Sequence, residues 1–234
     1  MSQRTFLNWS TGKDSALALH YLQNDDRFEV EHLLTTVNAH YDRVTMHGLS
    51  RGLLETQVES IGLPFSTVEL PKAPDMETYG LLMQKALKPL QEKKFQISAF
   101  GDIFLEDLRA YRETQLKKLG FEAAFPLWKK DTKELIKTFI QKGFKAIVIA
   151  INTKQLDASF LGRIIDEKFI TDLPKNVDPC GENGEFHTFC YDGPIFSFPV
   201  PFEKGETHFR DYPSPIQNEV PITFGYLNLH PHSP

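Results

Sequence analysis

The feature that most constrains the fold is a three-part stretch near the start of the chain. An apolar run at 6–9 is followed by Ser-Thr-Gly-Lys-Asp-Ser at 10–15 and an Ala/Leu-rich segment at 16–22. This order predicts a strand, a tight loop and a helix. Small side chains let backbone N–H groups approach a ligand, and the first turn of a helix directs unpaired N–H donors at it. Together with the charge of Lys13, the stretch predicts an anion site, and a phosphate chain is the expected ligand.

The same stretch has a simpler interpretation as an ordinary helix capped by Ser10 or Asp14. It is not a Walker A loop, which requires Gly five positions before the Gly-Lys pair and Ser or Thr directly after that pair. Leu7 and Asp14 occupy those places.

Composition narrows the class of protein. A chain of 234 residues with 41% hydrophobic content fits one large domain or a domain with a smaller annex. The net charge of −5 argues against a protein that wraps nucleic acid. We find no apolar run long enough for a membrane span and no secretory segment. Because Cys180 and Cys190 are the only cysteines, no disulfide framework is implied, and we expect a cytoplasmic protein.

Strand-like and helix-like patterns alternate through the first 151 residues. After the first strand, the predicted strands are 30–37, 65–70, 95–100 and 145–151, with a short extended piece at 125–128. The predicted helices are 49–61, 75–93, 105–119 and 131–142, and Pro89 is expected to kink or shorten the second of these. Alternation of this kind predicts an α/β fold, a Rossmann-like parallel sheet with helices on both faces.

Ligands of such sheets bind outside the carboxyl ends of the strands, so the loops that follow other strands are candidates to complete the site. The loop at 38–48 contains His47, and the loop after the fourth strand begins with Gly101 and Asp102. Gly101 would allow close approach of a nucleotide, and Asp102 could hold Mg²⁺ or a ribose hydroxyl. The alternative is that both are ordinary surface loops.

The segment 178–188 concentrates turn formers, carboxylates and a histidine. Gly181 and Gly184 suit a tight turn, which would place Glu182 and Glu185 on a common rim. Such a rim could hold a cationic group or ammonia, and a solvated turn is the alternative. A zinc site matches no ordinary ligand spacing and would use Cys180, Glu182, His187 and Cys190.

Residues 195–234 contain many of the prolines. The short apolar runs at 195–198 and 222–227 suggest edge strands between turns. The prolines of this segment are Pro199, Pro201, Pro213, Pro215, Pro221, Pro231 and Pro234.

Five motifs together resemble the diphthine–ammonia ligase (diphthamide synthase) family of the PP-loop ATP pyrophosphatases. The first resembles the Ser-Gly-Gly-x-Asp-Ser loop of that superfamily, with Thr11 where the family usually carries Gly. A β-branched residue tolerates positive φ poorly, so we expect Thr11 to keep an ordinary backbone conformation and to offer its hydroxyl to the phosphates. The order and spacing of the motifs match over residues 5–195. They stand at 9–15, 100–103, 126–128, 161–163 and 181–188.

The resemblance implies an ATP-binding domain of the adenine nucleotide α hydrolase type at 1–151 and a smaller α+β substrate-recognition domain at 152–234. It implies that ATP, with Mg²⁺, activates a carboxylate as an acyl adenylate for attack by ammonia. In the family the carboxylate belongs to diphthine on elongation factor 2. A homodimer is compatible with this organisation.

By resemblance, individual residues take three roles. The expected catalytic residues are Lys13, Asp14, Glu182 and Glu185, with Asp14 also the candidate for Mg²⁺. The expected nucleotide-binding residues are Ser10, Thr11, Gly12, Lys13, Asp14, Ser15, His47, Gly101, Asp102 and Arg163. The expected substrate-binding residues are Glu182, Asn183, Glu185, His187 and Thr188. Two alternatives remain open, a tRNA base-modifying enzyme that uses the same ATP chemistry and a nucleotide-binding protein without turnover.

Overall fold

The computed structural model describes residues 2–45, 47–213 and 220–232, and within them ten strands and six α-helices form two sheets with their covering helices. The strands are β1 Gln3–Asn8, β2 Phe28–Asn38, β3 Arg43–Val44, β4 Phe65–Leu70, β5 Ile97–Ala99, β6 Glu122–Ala124, β7 Lys145–Asn152, β8 Phe186–Asp192, β9 Phe202–Tyr212 and β10 Ile222–Pro231. The helices are α1 Lys13–Gln23, α2 Arg51–Ile61, α3 Met76–Glu92, α4 Glu106–Lys118, α5 Thr132–Gln141 and α6 Glu167–Asp172, with a 3-10 turn at Ala158–Phe160.

The first sheet is parallel and confirms the predicted α/β class. Its parallel strands run in the order β4-β2-β1-β5-β6, and the two-residue β3 pairs antiparallel with the end of β2. In the centre, Leu7 of β1 lies opposite Leu33 of β2 on one side and Ala99 of β5 on the other. The carboxyl ends of β1, β2 and β5 therefore meet at one edge of the sheet.

The second sheet is antiparallel, with the order β8-β7-β10-β9. It contains β7, so the prediction that 145–151 belongs to the parallel sheet is wrong. In this sheet Ile147 pairs with Phe189 of β8, and Ala150 pairs with Tyr226 of β10. A fully apolar run indicates burial on both faces, and a central strand of either kind of sheet meets that condition. The proposed division of the chain at 151 remains a prediction.

The last segment also differs from expectation. Residues 195–198 form a turn, and 222–227 lie in β10, which is an interior strand between β7 and β9. The edge strands of this sheet are β8 and β9, and we predicted neither. Pro221 and Pro231 stand at the two ends of β10, where proline is tolerated. Two prolines of this segment, Pro215 and Pro234, lie outside the described residues.

The helices begin and end close to the predicted positions. Gly62 ends α2 with a φ of 76°, and the Asp75 carboxylate caps α3 by accepting from the Thr78 N–H at 2.8 Å. Pro89 lies inside α3, which continues to Glu92. We expected Pro89 to kink the helix or to end it early, and of these two outcomes the early end is wrong. The extended piece expected at 125–128 is a turn, and β6 comes before it.

Apolar side chains pack on both faces of the parallel sheet. Leu7 and Leu33 face a large cluster that continues into the second sheet through Ile147. Phe6 and Leu34, one residue along each strand, face a smaller cluster beneath α3 and α4. The alternation explains why helices cover both faces and why the two sheets share one core. In the described ranges, no helix is both long and apolar enough to cross a bilayer.

Candidate functional site

The loop that leaves β1 contains a residue with an unusual backbone conformation. Thr11 has a φ of 73°, in the left-handed region where β-branched residues are rare. The prediction that Thr11 keeps an ordinary conformation is therefore wrong. Its hydroxyl, which we expected to face the phosphates, is buried and makes no hydrogen bond to the described residues.

Two hydrogen bonds to the Thr11 carbonyl accompany this conformation. Nε2 of Gln57 on α2 donates to it at 3.0 Å, and the N–H of Cys190 on β8 donates at 2.9 Å. Sequence reasoning missed Gln57. A signal existed, because Gln57 follows Leu53 by four residues and Leu54 by three, which places a polar side chain in the apolar stripe of a helix.

The first turn of α1 is capped from outside the helix. Gly12 is its N-cap and provides no side chain, and neither Ser10 nor Asp14 caps it. Instead, the Lys13 N–H donates to Oγ1 of Thr188, on β8, at 3.1 Å. Thr188 was expected to bind substrate, and here it joins the second sheet to the start of α1.

The Lys13 side chain points toward the turn that precedes β8. The side chain is 3% exposed, and its ammonium donates to both carboxylate oxygens of Asp14, at 2.9 and 2.8 Å, and to the carbonyl of Cys180. The Phe186 ring lies 5.3 Å from Nζ. Burial lowers the pKa of Lys13, but the charge and hydrogen bond of Asp14 outweigh it, so the pKa is raised and Lys13 is charged.

Ser10 and Ser15 organise the interior of the loop. The two hydroxyls lie 3.1 Å apart, and that of Ser15 donates to the Gly12 carbonyl at 2.9 Å. The Ser10 hydroxyl also accepts from the Gly12 N–H at 3.4 Å. These contacts close the loop on itself and orient the Gly12 N–H toward Ser10.

The loop after β5 packs directly on α1. A Cβ at Gly101 would lie 3.0 Å from the backbone carbon of Asp14 and 3.1 Å from the Ser15 nitrogen, so this close approach requires glycine. Asp102 is paired with Arg112 at 2.9 Å. Burial raises the pKa of the Asp102 carboxyl, although Arg112 opposes this effect. Arg112 is a second residue that sequence reasoning did not identify.

Glu182 joins the turn at 180–184 to the loop after β5. Its Oε1 accepts from the Ile103 N–H at 2.7 Å. Burial raises the pKa of the Glu182 carboxyl to about 7, with a further contribution from the charge of Asp14. This carboxyl therefore changes protonation state near neutral pH.

Glu185 behaves differently from Glu182. It is 1% exposed and accepts from the Asp178 N–H at 3.0 Å, the Asn183 N–H at 2.9 Å and the Asn183 side-chain amide at 3.0 Å. The two glutamates do not share a rim, contrary to expectation. The roles of Glu185 and Asn183 toward substrate stay predictions, while their observed contacts hold the turn together.

Two histidines lie against the start of α1. The His47 and His187 ring centroids are 4.9 Å apart, and a Cβ on Gly12 would lie 2.8 Å from Cε1 of His47. Nδ1 of His47 donates to the Thr188 carbonyl at 3.2 Å, so its Nε2 is unprotonated in the neutral ring. Burial lowers the pKa of His47 to about 3 and that of His187 to about 4. Both rings are therefore neutral at pH 7.

Arg163 makes its observed contacts away from the start of α1. Its guanidinium pairs with Asp172 at 2.8 Å and lies over the rings of Phe160 and Phe169, at 4.9 and 5.6 Å from their centroids. These partners belong to the segment that follows β7. The expected role of Arg163 toward a nucleotide stays a prediction that its observed contacts do not favour.

The structure thus brings most of the candidate residues into one region at the carboxyl ends of β1 and β5. This group joins the start of α1 to β8 and its preceding turn. Its members are Ser10, Thr11, Gly12, Lys13, Asp14, Ser15, His47, Gly101, Asp102, Glu182, His187 and Thr188. A phosphate-binding interpretation is consistent with the helix start, the lysine and the two close glycines.

Comparison with known proteins identifies the family to which the chain belongs. Residues 3–123 match the profile of the diphthamide synthase N-terminal domain, and residues 131–213 match that of the diphthamide synthase C-terminal domain. The chain belongs to the diphthamide synthase family.

Relatives in this family are diphthine–ammonia ligases. The Bos taurus protein is 29% identical over 156 residues, and the Homo sapiens protein is 28% identical over the same length. Each match covers 63% of this chain and 57% of the relative. The Schizosaccharomyces pombe protein is 33% identical over 97 residues, 38% of this chain and 16% of that one. The chain therefore matches little more than half the length of its mammalian relatives.

A solved structure, the U34-tRNA thiolase NcsA from Methanococcus maripaludis with its [4Fe-4S] cluster, also shows similarity. The TM-score is 0.35 with 18% sequence identity, and the match covers 59% of this chain and 55% of that one. A score this low supports no conclusion about function.

Proposed function

We propose that this chain is an ATP-dependent amide ligase that activates a carboxylate as an acyl adenylate and transfers the acyl group to ammonia. The observation that carries the proposal is the contact between the loop at 9–15, which we call the phosphate loop, and the turn before β8. The Lys13 ammonium donates to the Cys180 carbonyl, and the Lys13 backbone N–H donates to the Thr188 hydroxyl. The Glu182 carboxylate accepts from the Ile103 N–H in the loop after β5. A nucleotide at the start of α1 would therefore lie beside the segment that we assign to the acyl substrate.

The residues present fit a triphosphate. The start of α1 supplies N–H donors, Lys13 supplies a positive charge, and Gly101 lets the loop after β5 pack directly against the backbone of this helix start. The neutral rings of His47 and His187 border the same helix start and add no competing charge. In the superfamily that the first motif resembles, this loop grips the pyrophosphate part of ATP.

Mg²⁺ accompanies ATP in such reactions and takes only one or two carboxylates together with phosphate oxygens. Asp14 is the candidate ligand, and the carboxylates of Asp102 and Glu182 lie close enough to interact with its charge. When bound there, the ion would neutralise phosphate charge.

The chemistry follows from the poor reactivity of a carboxylate. A carboxylate oxygen attacks the α-phosphorus of ATP, the bond between the α-phosphorus and the bridging oxygen breaks, and pyrophosphate leaves. Ammonia then attacks the acyl carbon, AMP leaves with the carboxylate oxygen, and one proton is released. On this proposal Lys13 and the α1 N–H groups stabilise the departing pyrophosphate.

Glu182 is proposed to accept the proton that ammonia loses. A pKa of about 7 leaves a substantial fraction of the carboxyl ionised at neutral pH, which suits a general base. The relatives are named for diphthine, and we propose the same acyl substrate here, on elongation factor 2. A homodimer stays a prediction.

The test is product analysis with the purified chain, ATP, Mg²⁺, ammonia and a panel of carboxylates that includes diphthine-containing elongation factor 2. We expect AMP and pyrophosphate in equal amounts with one amide per AMP. Lys13→Ala should reduce AMP formation by about 100-fold or more, and Glu182→Gln should reduce amide formation by a similar factor while ATP still binds.

Matched controls lie on the exposed face of α5, where Lys137 pairs with Glu134. Lys137→Ala and Glu134→Gln should leave both products unchanged. Formation of ADP instead of AMP would contradict the proposal. AMP release that requires tRNA would favour a tRNA-modifying enzyme, and ATP binding without turnover would favour a nucleotide-binding protein.

A further inference from the structure

We propose that Gln57 is a positioning residue that holds Thr11 in its left-handed conformation and thereby orients the backbone of the phosphate loop. This inference rests on the proposed function in one respect, that the loop binds ATP. Among the described residues of the loop, Gln57 bonds the side chain of Trp9 and the backbone of Thr11, and we propose that it acts through the latter.

The strain at Thr11 requires a compensating interaction. A left-handed conformation costs a β-branched residue free energy that glycine does not lose. Thr11 also buries a hydroxyl that makes no hydrogen bond to the described residues. Such a conformation persists only where surrounding contacts determine it.

Gln57 is placed to supply those contacts. It is fully buried, and both its amide nitrogen and its amide oxygen find hydrogen-bond partners on separate elements. Nε2 donates to the Thr11 carbonyl at 3.0 Å and to the Cys190 carbonyl at 2.6 Å, and Oε1 accepts from Nε1 of Trp9 at 2.8 Å. A single side chain therefore joins α2, the loop and β8.

The geometry of the peptide bond connects this contact to the loop's function. The peptide between Thr11 and Gly12 is trans, so its N–H points opposite to its carbonyl. Because Gln57 and the Cys190 N–H hold the carbonyl on the side of α2 and β8, the Gly12 N–H is directed to the opposite side, toward Ser10. A flipped peptide would present a carbonyl oxygen where a phosphate requires a donor.

The test is a double-mutant cycle between Gln57→Leu and Thr11→Gly, with affinity for a non-hydrolysable ATP analogue measured by calorimetry. Gln57→Leu alone should weaken binding by about tenfold, the equivalent of one good hydrogen bond. In the Thr11→Gly background the same change should weaken binding by less than about threefold, because glycine adopts the left-handed conformation without support.

Thr11→Ala is the matched control for the expected rescue of nucleotide binding by Thr11→Gly. It removes the unbonded hydroxyl but keeps a Cβ, so it should not rescue Gln57→Leu. Ser60→Ala controls for the burial of a polar residue on α2, since Ser60 is buried and its hydroxyl accepts from the Phe198 N–H and donates to the Phe198 carbonyl. It should lower the unfolding temperature and leave nucleotide affinity within about twofold of the parent.

Equal weakening by Gln57→Leu in both backgrounds, or rescue by alanine as well as glycine, would overturn the inference. If Gln57→Leu does not fold alone, recovery of the folded protein by Thr11→Gly and not by Thr11→Ala supports the inference, and failure of both overturns it. If the parent chain binds no ATP analogue, the proposed function fails. In that case the unfolding temperatures of the four proteins in the cycle are compared instead. Additive effects of Gln57→Leu and Thr11→Gly on the unfolding temperature would overturn the proposed role of Gln57.

Discussion

The phosphate loop at 9–15 and the turn at 178–185 face each other, yet they are held in opposite ways. The loop depends on remote residues, since Gln57 and Cys190 bind the Thr11 carbonyl and Thr188 caps α1. The turn depends on its own members, because Glu185 accepts from its neighbours. Local sequence can therefore specify a turn that supports itself, whereas the loop at 9–15, for which we propose a phosphate ligand, is held from outside.

The largest expected effect is on the self-supported turn. Glu185→Ala removes a buried carboxylate that accepts three hydrogen bonds and leaves buried donors unpaired. We expect a loss of about 3 kcal/mol or more in the free energy of unfolding. Urea denaturation followed by fluorescence measures it.

Glu182→Ala is the matched comparison for this first prediction, because Glu182 in the same turn bonds outward to the Ile103 N–H. Its cost in unfolding free energy should be only about 1 kcal/mol, with a large loss of activity. Equal destabilisation by the two variants would show that the turn is not held by Glu185.

The second prediction compares the effect of an added Cβ at two glycines, Gly12 and Gly184. At Gly12 an added Cβ would meet Cε1 of His47 at 2.8 Å and the Thr188 carbonyl oxygen at 3.2 Å, while φ is an ordinary −91°. Gly12→Ala should displace His47 and weaken ATP binding by about tenfold, since crowding a packed site costs 1–3 kcal/mol. Equilibrium binding of a fluorescent ATP analogue measures the change.

Gly184 gives the opposite case, because its Cβ would enter open space but its φ is 81°. Gly184→Ala should lower the free energy of unfolding by about 1–2 kcal/mol and leave nucleotide affinity unchanged. A loss of nucleotide affinity in Gly184→Ala together with normal affinity in Gly12→Ala would contradict both predictions.

The third prediction concerns pH. Burial raises the pKa of Glu182 from an ordinary 4.5 to about 7 in the folded chain, so the folded state holds a proton that the unfolded state has released between these values. The contribution of Glu182 to stability is therefore fully present below pH 4.5 and is lost as pH rises through about 7. Unfolding free energy, measured from pH 4.5 to 8 without nucleotide, should decline less in Glu182→Gln. Identical slopes would contradict this assignment.

Some parts of the molecule could be predicted from the sequence and others could not. The parallel sheet and its helices followed from periodicity, because each element's apolar pattern is local. β7 was assigned to the wrong sheet, since a fully apolar run does not encode the direction of its partners. The loop and the turn were both located, but the Thr11 conformation was not, because it depends on Gln57 and Cys190, which are far away in sequence.

The smallest expected effect concerns Arg163, whose place in the site was inferred from resemblance. Its guanidinium pairs with Asp172 and stacks on Phe160 and Phe169, all within the segment after β7. Arg163→Gln should therefore lower the unfolding free energy by about 1 kcal/mol or less, the usual worth of a partly exposed ion pair with a cation–π contact. Affinity for the ATP analogue should not change. A tenfold loss of affinity without loss of stability would instead place Arg163 with the nucleotide, and would mean that the segment after β7 closes on the phosphate loop when ATP binds.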